Sequence, residues 1–198
     1  MRQPGSKASS LWLIVLGAIG ALLTGVIAAF IGVYAGLYNV AADVPHTQSL
    51  YWLLETVRER SIAKRAADIR VPRDLDNADR IASGAGQYAN MCATCHLAPG
   101  MDRTEMSRGL YPRAPELHRG SHMSAAEEFW VIKHGIKASG MPAWGVTHSD
   151  DMVWDIVAFL RKLPDLSIDD YKALAEKAPS HDEIVEERTG SKSSGHSH

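Results

Sequence analysis

Residues 11–38 form a run of 28 residues without a charged side chain, and this run limits the possible folds of the chain more than any other feature. As an α-helix the run is about 42 Å long at 1.5 Å per residue, which exceeds the ~30 Å hydrocarbon core of a bilayer. A cleavable signal peptide is the alternative, because residues 40–42 are small, as at a cleavage site. The apolar core of a signal peptide has only about 7–15 residues, so we predict an uncleaved transmembrane anchor over residues 11–38.

The charges that flank the apolar run predict its orientation. Arg2 and Lys7 precede the run and Asp43 follows it. Basic residues are enriched on the cytoplasmic side of membrane helices, so we expect residues 1–10 in the cytoplasm. The expected location is a bacterial inner membrane, crossed once, with the rest of the chain in the periplasm.

Small side chains recur every four residues along one face of the predicted anchor. They are Gly20, Thr24, Ala28, Gly32 and Gly36. Small residues let a second helix approach closely within lipid, so this stripe favours an anchor packed in a homodimer or beside another membrane subunit. The alternative is the general abundance of glycine and alanine in transmembrane helices.

Cys92, Cys95 and His96 form a C-x-x-C-H motif, and the chain has no other cysteine. This motif is typical of a c-type haem attachment site, in which each thiol forms a thioether and the histidine binds the iron. A thioredoxin-like redox pair requires a βαβ context, and a zinc site requires two further ligands at metal spacing. Both alternatives fit the motif less well, so we interpret it as the site of one covalently attached haem c.

A six-coordinate haem needs a second axial ligand opposite His96, and Met141 is the best placed candidate. It lies between a glycine and a proline in a loop between two predicted helices, so this loop can wrap the far face of the haem. Met152 falls on the apolar face of a predicted helix, and Met101 and Met106 follow His96 too closely to cross to the other face. Two histidines near helix ends are interpreted as surface residues: His134 and His148.

Helical periodicity and capping signals organise the rest of the chain. Residues 39–73 are predicted to be a periplasmic linker with an amphipathic helix at 47–70, which we interpret as a solvated spacer between the membrane and the next domain. Docking of this basic helix on an acidic partner or on anionic lipid is the alternative. An all-α haem domain with a C-terminal extension is predicted over residues 74–178, followed by a disordered tail over 179–198. The helices predicted in the domain span residues 76–91, 125–134, 150–163 and 168–177.

Several motifs follow one another in an order that resembles class I c-type cytochromes of the membrane-anchored, monohaem kind. They are Gly84-x3-Tyr88-x3-Cys92-x2-Cys95-His96, Pro115-x-Leu117, Gly140-Met141-Pro142 and a last helix that bears Trp154. Over residues 76–164 the chain is similar to the cytochrome c domains grouped with subunit III of cbb3-type oxidases. A subunit of that kind usually carries two haems, whereas this chain has one haem motif.

The resemblance implies how the domain is built around its cofactor. An all-α fold encloses the haem and exposes one edge, and the first helix crosses the last helix near Trp154. The other ring nitrogen of His96 donates to a prolyl carbonyl, which Pro112 or Pro115 could supply. Pro115 and Leu117 are implied as further cofactor-binding residues.

A haem with both axial positions filled has no open site for oxygen or a substrate, so the sequence predicts outer-sphere electron transfer, by a fixed subunit or a tethered carrier. The predicted partners are the lipid bilayer and the subunits of a membrane oxidoreductase or a terminal oxidase, reached through the anchor and the haem edge. We expect no catalytic activity of the chain itself and no small-molecule substrate. A net charge of −2 argues against binding of nucleic acid. The alternative function is a haem enzyme or gas sensor with a labile sixth ligand.

Overall fold

The computed structural model describes residues 6–178, with side chains described from Ser10 onward. All regular structure in this range is helical, which confirms the predicted all-α class. The chain divides into two compact units, Met1–Val44 and Pro45–His198. Residues 1–5 and the predicted tail over residues 179–198 lie outside the described part of the chain.

The described part of the first unit contains one long helix, α1 (Ser6–Tyr34). By length and composition its segment Ser10–Tyr34 is sufficient for one membrane crossing, and its apolar side chains are exposed. The helix ends before the apolar run does, because Gly36 takes a left-handed conformation with φ +68°. The amide of Leu37 then donates to the carbonyl of Gly32 at 3.0 Å and closes the helix end.

The second unit contains seven α-helices among the described residues. They are α2 (Gln48–Ala66), α3 (Ala78–Gln87), α4 (Ala93–His96), α5 (Glu105–Gly109), α6 (Ala125–His134), α7 (Asp150–Lys162) and α8 (Ile168–Lys177). A π-helical turn, Tyr88–Cys92, joins α3 to α4, and 3-10 turns lie at Leu117–Arg119, Trp144–Val146 and Leu163–Asp165. The bounds of α6 and α8 are as predicted, whereas α5 lies in a segment that the sequence pattern left without a helix.

Side-chain caps explain where three of these helices begin. Ser124 forms a capping box with Glu127 at the start of α6, and the hydroxyl of Ser149 caps α7. Helix α3 is capped by Asn77 and begins at Ala78, two residues after the start that the sequence predicted. The Asn77 side chain accepts hydrogen bonds from two amides of the first turn, which fixes the start of the helix there.

The core of the second unit is built where α3 crosses α7. Gly84 lies so close to α7 that a Cβ there would come within 2.6 Å of the Asp155 carbonyl carbon and 2.8 Å of the Phe159 Cβ. The ring of Tyr88 packs on Phe159, with the ring centroids 5.3 Å apart. The helices therefore cross at Asp155 and Phe159, close to Trp154 as the resemblance implies, and the Trp154 ring itself stacks on a phenylalanine of α6 at 4.2 Å.

A buried ion pair fixes α3 against α7. Asp155 is fully buried, and its carboxylate accepts from Arg80 Nη1 at 2.8 Å and from Ser83 Oγ at 2.9 Å. Arg80 also donates to the carboxylate of Asp74 at 2.8 Å, and this hydrogen bond lowers the pKa of Asp74. A buried carboxylate is costly without partners, so these bonds restrict how the two helices can lie against each other.

Helix α2 differs from the solvated spacer that its sequence suggests. It belongs to the same compact unit as the other domain helices and packs against α6. Ile62 and Ala66 are buried, whereas Leu53 and Val57 remain exposed. One side of α2 is therefore part of the domain, and the other side is exposed within the described part of the chain.

Candidate haem site

A cavity of about 370 Å³ lies between α2, the junction of α3 and α4, α6, and the loops that follow α5 and α6. This volume is within the usual range of ligand and cofactor pockets. Much of the wall is apolar: Leu110, Val131, Ile132, Ile136 and Leu160. The six cofactor-binding residues predicted from the sequence all line this cavity: Cys92, Cys95, His96, Pro115, Leu117 and Met141.

The two cysteines are placed by an irregular stretch of helix. The π-helical turn Tyr88–Cys92 separates α3 from α4, and turns of this kind occur frequently at functional sites. Cys92 is buried, Cys95 is half-buried, and neither forms a disulfide. Burial raises the pKa of Cys92 to about 12, with a further contribution from Cys95. A redox-active pair needs a thiolate of lowered pKa, so this environment disfavours the thioredoxin-like alternative.

The ring of His96 is oriented by its Nδ1 atom, which lies 2.9 Å from the carbonyl oxygen of Pro115. A carbonyl only accepts hydrogen bonds, so Nδ1 carries the proton and the lone pair of Nε2 is left for a ligand bond. Burial lowers the pKa of the imidazole and favours this neutral form, while the bond to Pro115 acts in the opposite direction. Pro112 also lines the cavity, but the bond is made by Pro115.

Hydrogen bonds from both sides hold the short helix that carries the motif. Tyr88 Oη donates to the carbonyl of Leu97 at 2.5 Å, and Leu97 ends α4 in a left-handed conformation with φ +61°. Thr104 Oγ1 donates to the carbonyl of Thr94, which ties the following loop back to the same helix. These bonds restrict the rotation of α4 and thereby orient the His96 side chain.

Met141 lies in the loop between α6 and the 3-10 turn Trp144–Val146. Its amide donates to Ser139 Oγ at 3.2 Å, and its carbonyl accepts from the amide of Ile136 at 3.2 Å. Gly135 has a left-handed backbone with φ +64°, and a Cβ there would come within 2.7 Å of the Met141 carbonyl oxygen. The loop therefore places the methionine through a fixed backbone.

Gly140, the glycine next to Met141, is not the residue that gives this loop its left-handed turn. Gly140 was expected to set the backbone conformation around Met141, but the left-handed glycine is Gly135. A side chain at Gly140 would instead overlap the side chain of Leu110. Gly135 was missed because nothing in its local sequence distinguishes a helix-ending glycine from one that also shapes a ligand loop.

Three further side chains with ligand chemistry line the cavity: Met91, next to the haem motif, and His122 and Met123 from the segment before α6. Met152 is buried in α7, as predicted, whereas Met101 and Met106 are exposed. Among the described residues, Met91 and Met123 before α6 and Met141 after it are therefore the thioethers that line the cavity.

His148 corrects a prediction, since it was expected at the surface and only 6% of it is exposed. Its Nδ1 lies 3.2 Å from the carbonyl oxygen of Trp144, and the two rings pack edge to face with centroids 5.4 Å apart. A 3-10 turn folds the His148 ring back onto Trp144, and helical periodicity does not reveal such a turn. His134 is exposed, as predicted.

Comparison with known families agrees with this geometry. Residues 79–160 match the family model described as cytochrome C oxidase, cbb3-type, subunit III. This segment is a class I cytochrome c domain. Comparison of the chain with curated proteins gave no match, and comparison with solved structures also gave none.

A cytochrome c domain implies haem c, and the cavity residues fit that group. The apolar wall suits a flat macrocycle, the motif provides two thiols, and a neutral imidazole presents its free ring nitrogen. The zinc alternative finds no support, because residues 6–178 contain no group of three or more His, Cys, Asp or Glu side chains arranged to hold a metal ion.

Part of the cavity wall lies outside the matched segment and was missed in the sequence. Helix α2 contributes Tyr51, Glu55, Arg58 and Glu59. The cytochrome c domain itself contributes a carboxyl group from α6, Glu128, whose pKa is raised by burial. The spacing of these α2 residues predicts that they share one helix face. They were missed because three charged side chains on one face are typical of a face exposed to solvent.

Proposed function

We propose that this chain is an electron-transfer protein that holds one haem c through Cys92 and Cys95, with His96 and Met141 as axial ligands of the iron. The observation that supports this most strongly is the convergence of two thiols, an imidazole and a thioether on one largely apolar cavity of a cytochrome c domain. When bound, the haem supplies a one-electron couple between ferrous and ferric iron.

Each residue has a distinct task in this function. The bond from His96 to Pro115 sets the tautomer and directs Nε2 toward the metal. Met141 would supply the second protein ligand to the iron, and a thioether ligand raises the reduction potential. The apolar wall, to which Leu117 belongs, disfavours the extra charge of the oxidised state and raises the potential further. With His96 and Met141 both bound to the iron, no open site would remain for a substrate, and the chain would transfer electrons without catalysing a reaction.

Membrane anchoring is supported by helix α1, whose length and apolar composition suffice for one crossing. The charges flanking it favour a cytoplasmic N-terminus and a periplasmic haem domain. The location is therefore a bacterial inner membrane, with the cytochrome c domain on the periplasmic side.

The partner is inferred from the matched family, which is described as a subunit of a cbb3-type oxidase. We infer that this chain serves a respiratory membrane oxidoreductase, either as a fixed subunit or as a tethered carrier. Gentle detergent extraction followed by haem-stained native electrophoresis separates the two cases. Migration with large membrane subunits supports a fixed subunit, and migration as a small species supports a tethered carrier.

Substitution of Met141 tests the proposed ligand set in the full-length, haem-loaded protein. Met141→Ala is expected to remove the sulfur-to-iron charge-transfer absorption, lower the midpoint potential and allow the ferrous state to bind carbon monoxide. Met123→Ala is the matched control, since its thioether also lines the cavity, and it is expected to keep the spectrum of the parent protein.

Three results would contradict parts of this function. Loss of the sulfur absorption in Met123→Ala alone would transfer the ligand role to Met123. Ready binding of carbon monoxide to the unsubstituted ferrous protein would favour a haem enzyme or gas sensor. Haem that leaves the chain on a denaturing gel, with both Cys92 and Cys95 intact, would exclude covalent attachment.

A further inference from the structure

Helix α2 lies outside the segment that matches the cytochrome c family, yet it forms one wall of the cavity. Tyr51, Glu55, Arg58 and Glu59 recur at helical spacing and face the same space as the haem motif. Ile62, one turn further along, is 3% exposed and fixes this face of α2 in the domain. The helix is therefore positioned to contact whatever fills the cavity.

Arg58 is the basic residue that α2 contributes to this wall. Its side chain is 28% exposed, and Nη2 donates to Glu55 Oε1 at 3.2 Å. Within the described residues the Arg58 guanidinium makes this one hydrogen bond. Its other N–H groups therefore remain for a second carboxylate. An arginine fork binds carboxylates in two parallel hydrogen bonds, and such charge-assisted bonds are stronger than neutral ones.

The other arginine of the wall is less suited to the same task. The side chain of Arg113 is 56% exposed, and its Nη2 already donates to Glu116 Oε1 at 2.5 Å. A haem carries two propionate carboxylates on one edge and is otherwise apolar. Both arginines hold one carboxylate, but Arg58 is more shielded from solvent and its hydrogen bond is longer, so Arg58 is the better partner for one propionate.

We propose that α2 is a haem-binding element of this protein and that Arg58 pairs with a haem propionate. This rests on the proposed function, since it requires that the cavity holds haem. Helix α2 thereby extends the cytochrome c domain and adjusts its electron-transfer chemistry from outside the family segment.

The pairing has two electrostatic consequences for the haem. A cation beside the haem disfavours the oxidised state, which carries one more positive charge, so removal of Arg58 lowers the midpoint potential. A cation also favours the ionised propionate and lowers its pKa. Removal of Arg58 therefore raises the propionate pKa and moves the pH-dependent part of the potential to higher pH.

Other titratable groups face the same cavity and must be separated from this effect. Besides the haem motif itself, they are Tyr51, Glu55 and Glu59 on α2, Glu128 on α6, and Arg113 and His122 on the loops. These groups contribute equally to the midpoint potential of every variant in which they are unchanged. The effect of Arg58 is therefore read from the difference in potential between variants of α2.

The test is a redox titration of the full-length, haem-loaded protein between pH 5 and 9, combined with resonance Raman spectra of the propionate bending modes. Arg58→Gln is expected to lower the potential, move its pH dependence upward and shift a propionate band. Arg58→Lys keeps the charge without the fork, so it is expected to keep most of the potential and still shift the band. Arg60→Gln removes the same charge from the exposed side of α2 and is expected to change neither readout.

A double variant separates direct pairing from an effect through Glu55. If Arg58 acts on the haem only by neutralising Glu55, adding Arg58→Gln to Glu55→Gln will leave the potential unchanged, and the proposal is overturned. It is also overturned if haem-loaded Arg58→Gln has the parent potential, pH profile and Raman bands, or if Arg60→Gln shifts the potential equally. Absence of haem from the unsubstituted protein would refute the proposed function itself, and this pairing with it.

Discussion

At the scale of single residues, Gly84 decides how closely α3 approaches α7. The position has no room for a side chain, because a Cβ would lie 2.6 Å from a backbone carbon of α7. That carbon is the carbonyl carbon of Asp155, whose buried side chain pairs with Arg80. A larger residue at position 84 therefore disturbs both the helix contact and the ion pair beside it.

Gly84→Ala is expected to destabilise the haem-loaded protein by about 2 kcal/mol or more. Overpacking of a core costs about 1–3 kcal/mol and occasionally more, and the upper part of this range applies because the new Cβ would meet backbone atoms of α7. The better helix propensity of alanine offsets at most about 1 kcal/mol. The free energy of unfolding in guanidinium chloride measures the difference. Gly109→Ala is the matched control, since a Cβ at that position would meet nothing within 4 Å, and a comparable loss in both variants would refute the steric explanation.

The site residues show which interactions a sequence can predict. Cys92, Cys95 and His96 are adjacent, so their spacing alone predicted that they lie together, and the structure places all three on one cavity. The choice between Pro112 and Pro115 was open, because the accepting carbonyl lies 19 residues from the histidine and depends on the path of a loop. Local chemistry was therefore predictable, while contacts set by loop geometry were not.

At the scale of helices, the same contrast separates α6 and α8 from α2. Caps and hydrophobic periodicity are local signals, and they predicted the bounds of α6 and α8. The face of α2 turned to the cavity is polar and carries Glu55, Arg58 and Glu59. A polar face on a helix is typical of exposure to solvent, so the sequence pattern favoured a spacer.

Substitution of Ile62 distinguishes a packed α2 from a solvated spacer. Ile62 is 3% exposed, so Ile62→Ala is expected to lower the free energy of unfolding by about 2–5 kcal/mol, as for other large-to-small changes in a core. Leu53→Ala removes a comparable side chain from the same helix at a position that is 50% exposed, and is expected to cost less than about 0.5 kcal/mol. Equal and small effects of both substitutions in chemical denaturation would support the spacer.

At the scale of the whole molecule, the chain joins an apolar helix to a cytochrome c domain. The two units have different physical requirements, since exposed apolar side chains of α1 need lipid or a protein partner. The cytochrome c domain has its own buried core.

The proposed topology predicts where a protease can reach the chain. Arg70 and Arg73 are exposed in the non-helical segment between α2 and α3, and no lysine or arginine lies between residues 8 and 57. Trypsin added to intact spheroplasts is expected to release a haem-stained fragment from the membrane, because the domain faces the periplasm. The double variant Arg70→Gln/Arg73→Gln should slow this release, which shows that cleavage occurs at that segment. If trypsin releases the haem-stained fragment from inside-out vesicles but not from spheroplasts, the orientation is the reverse of the proposed one. If the haem domain leaves the membrane under alkaline extraction without protease, the chain has no membrane anchor.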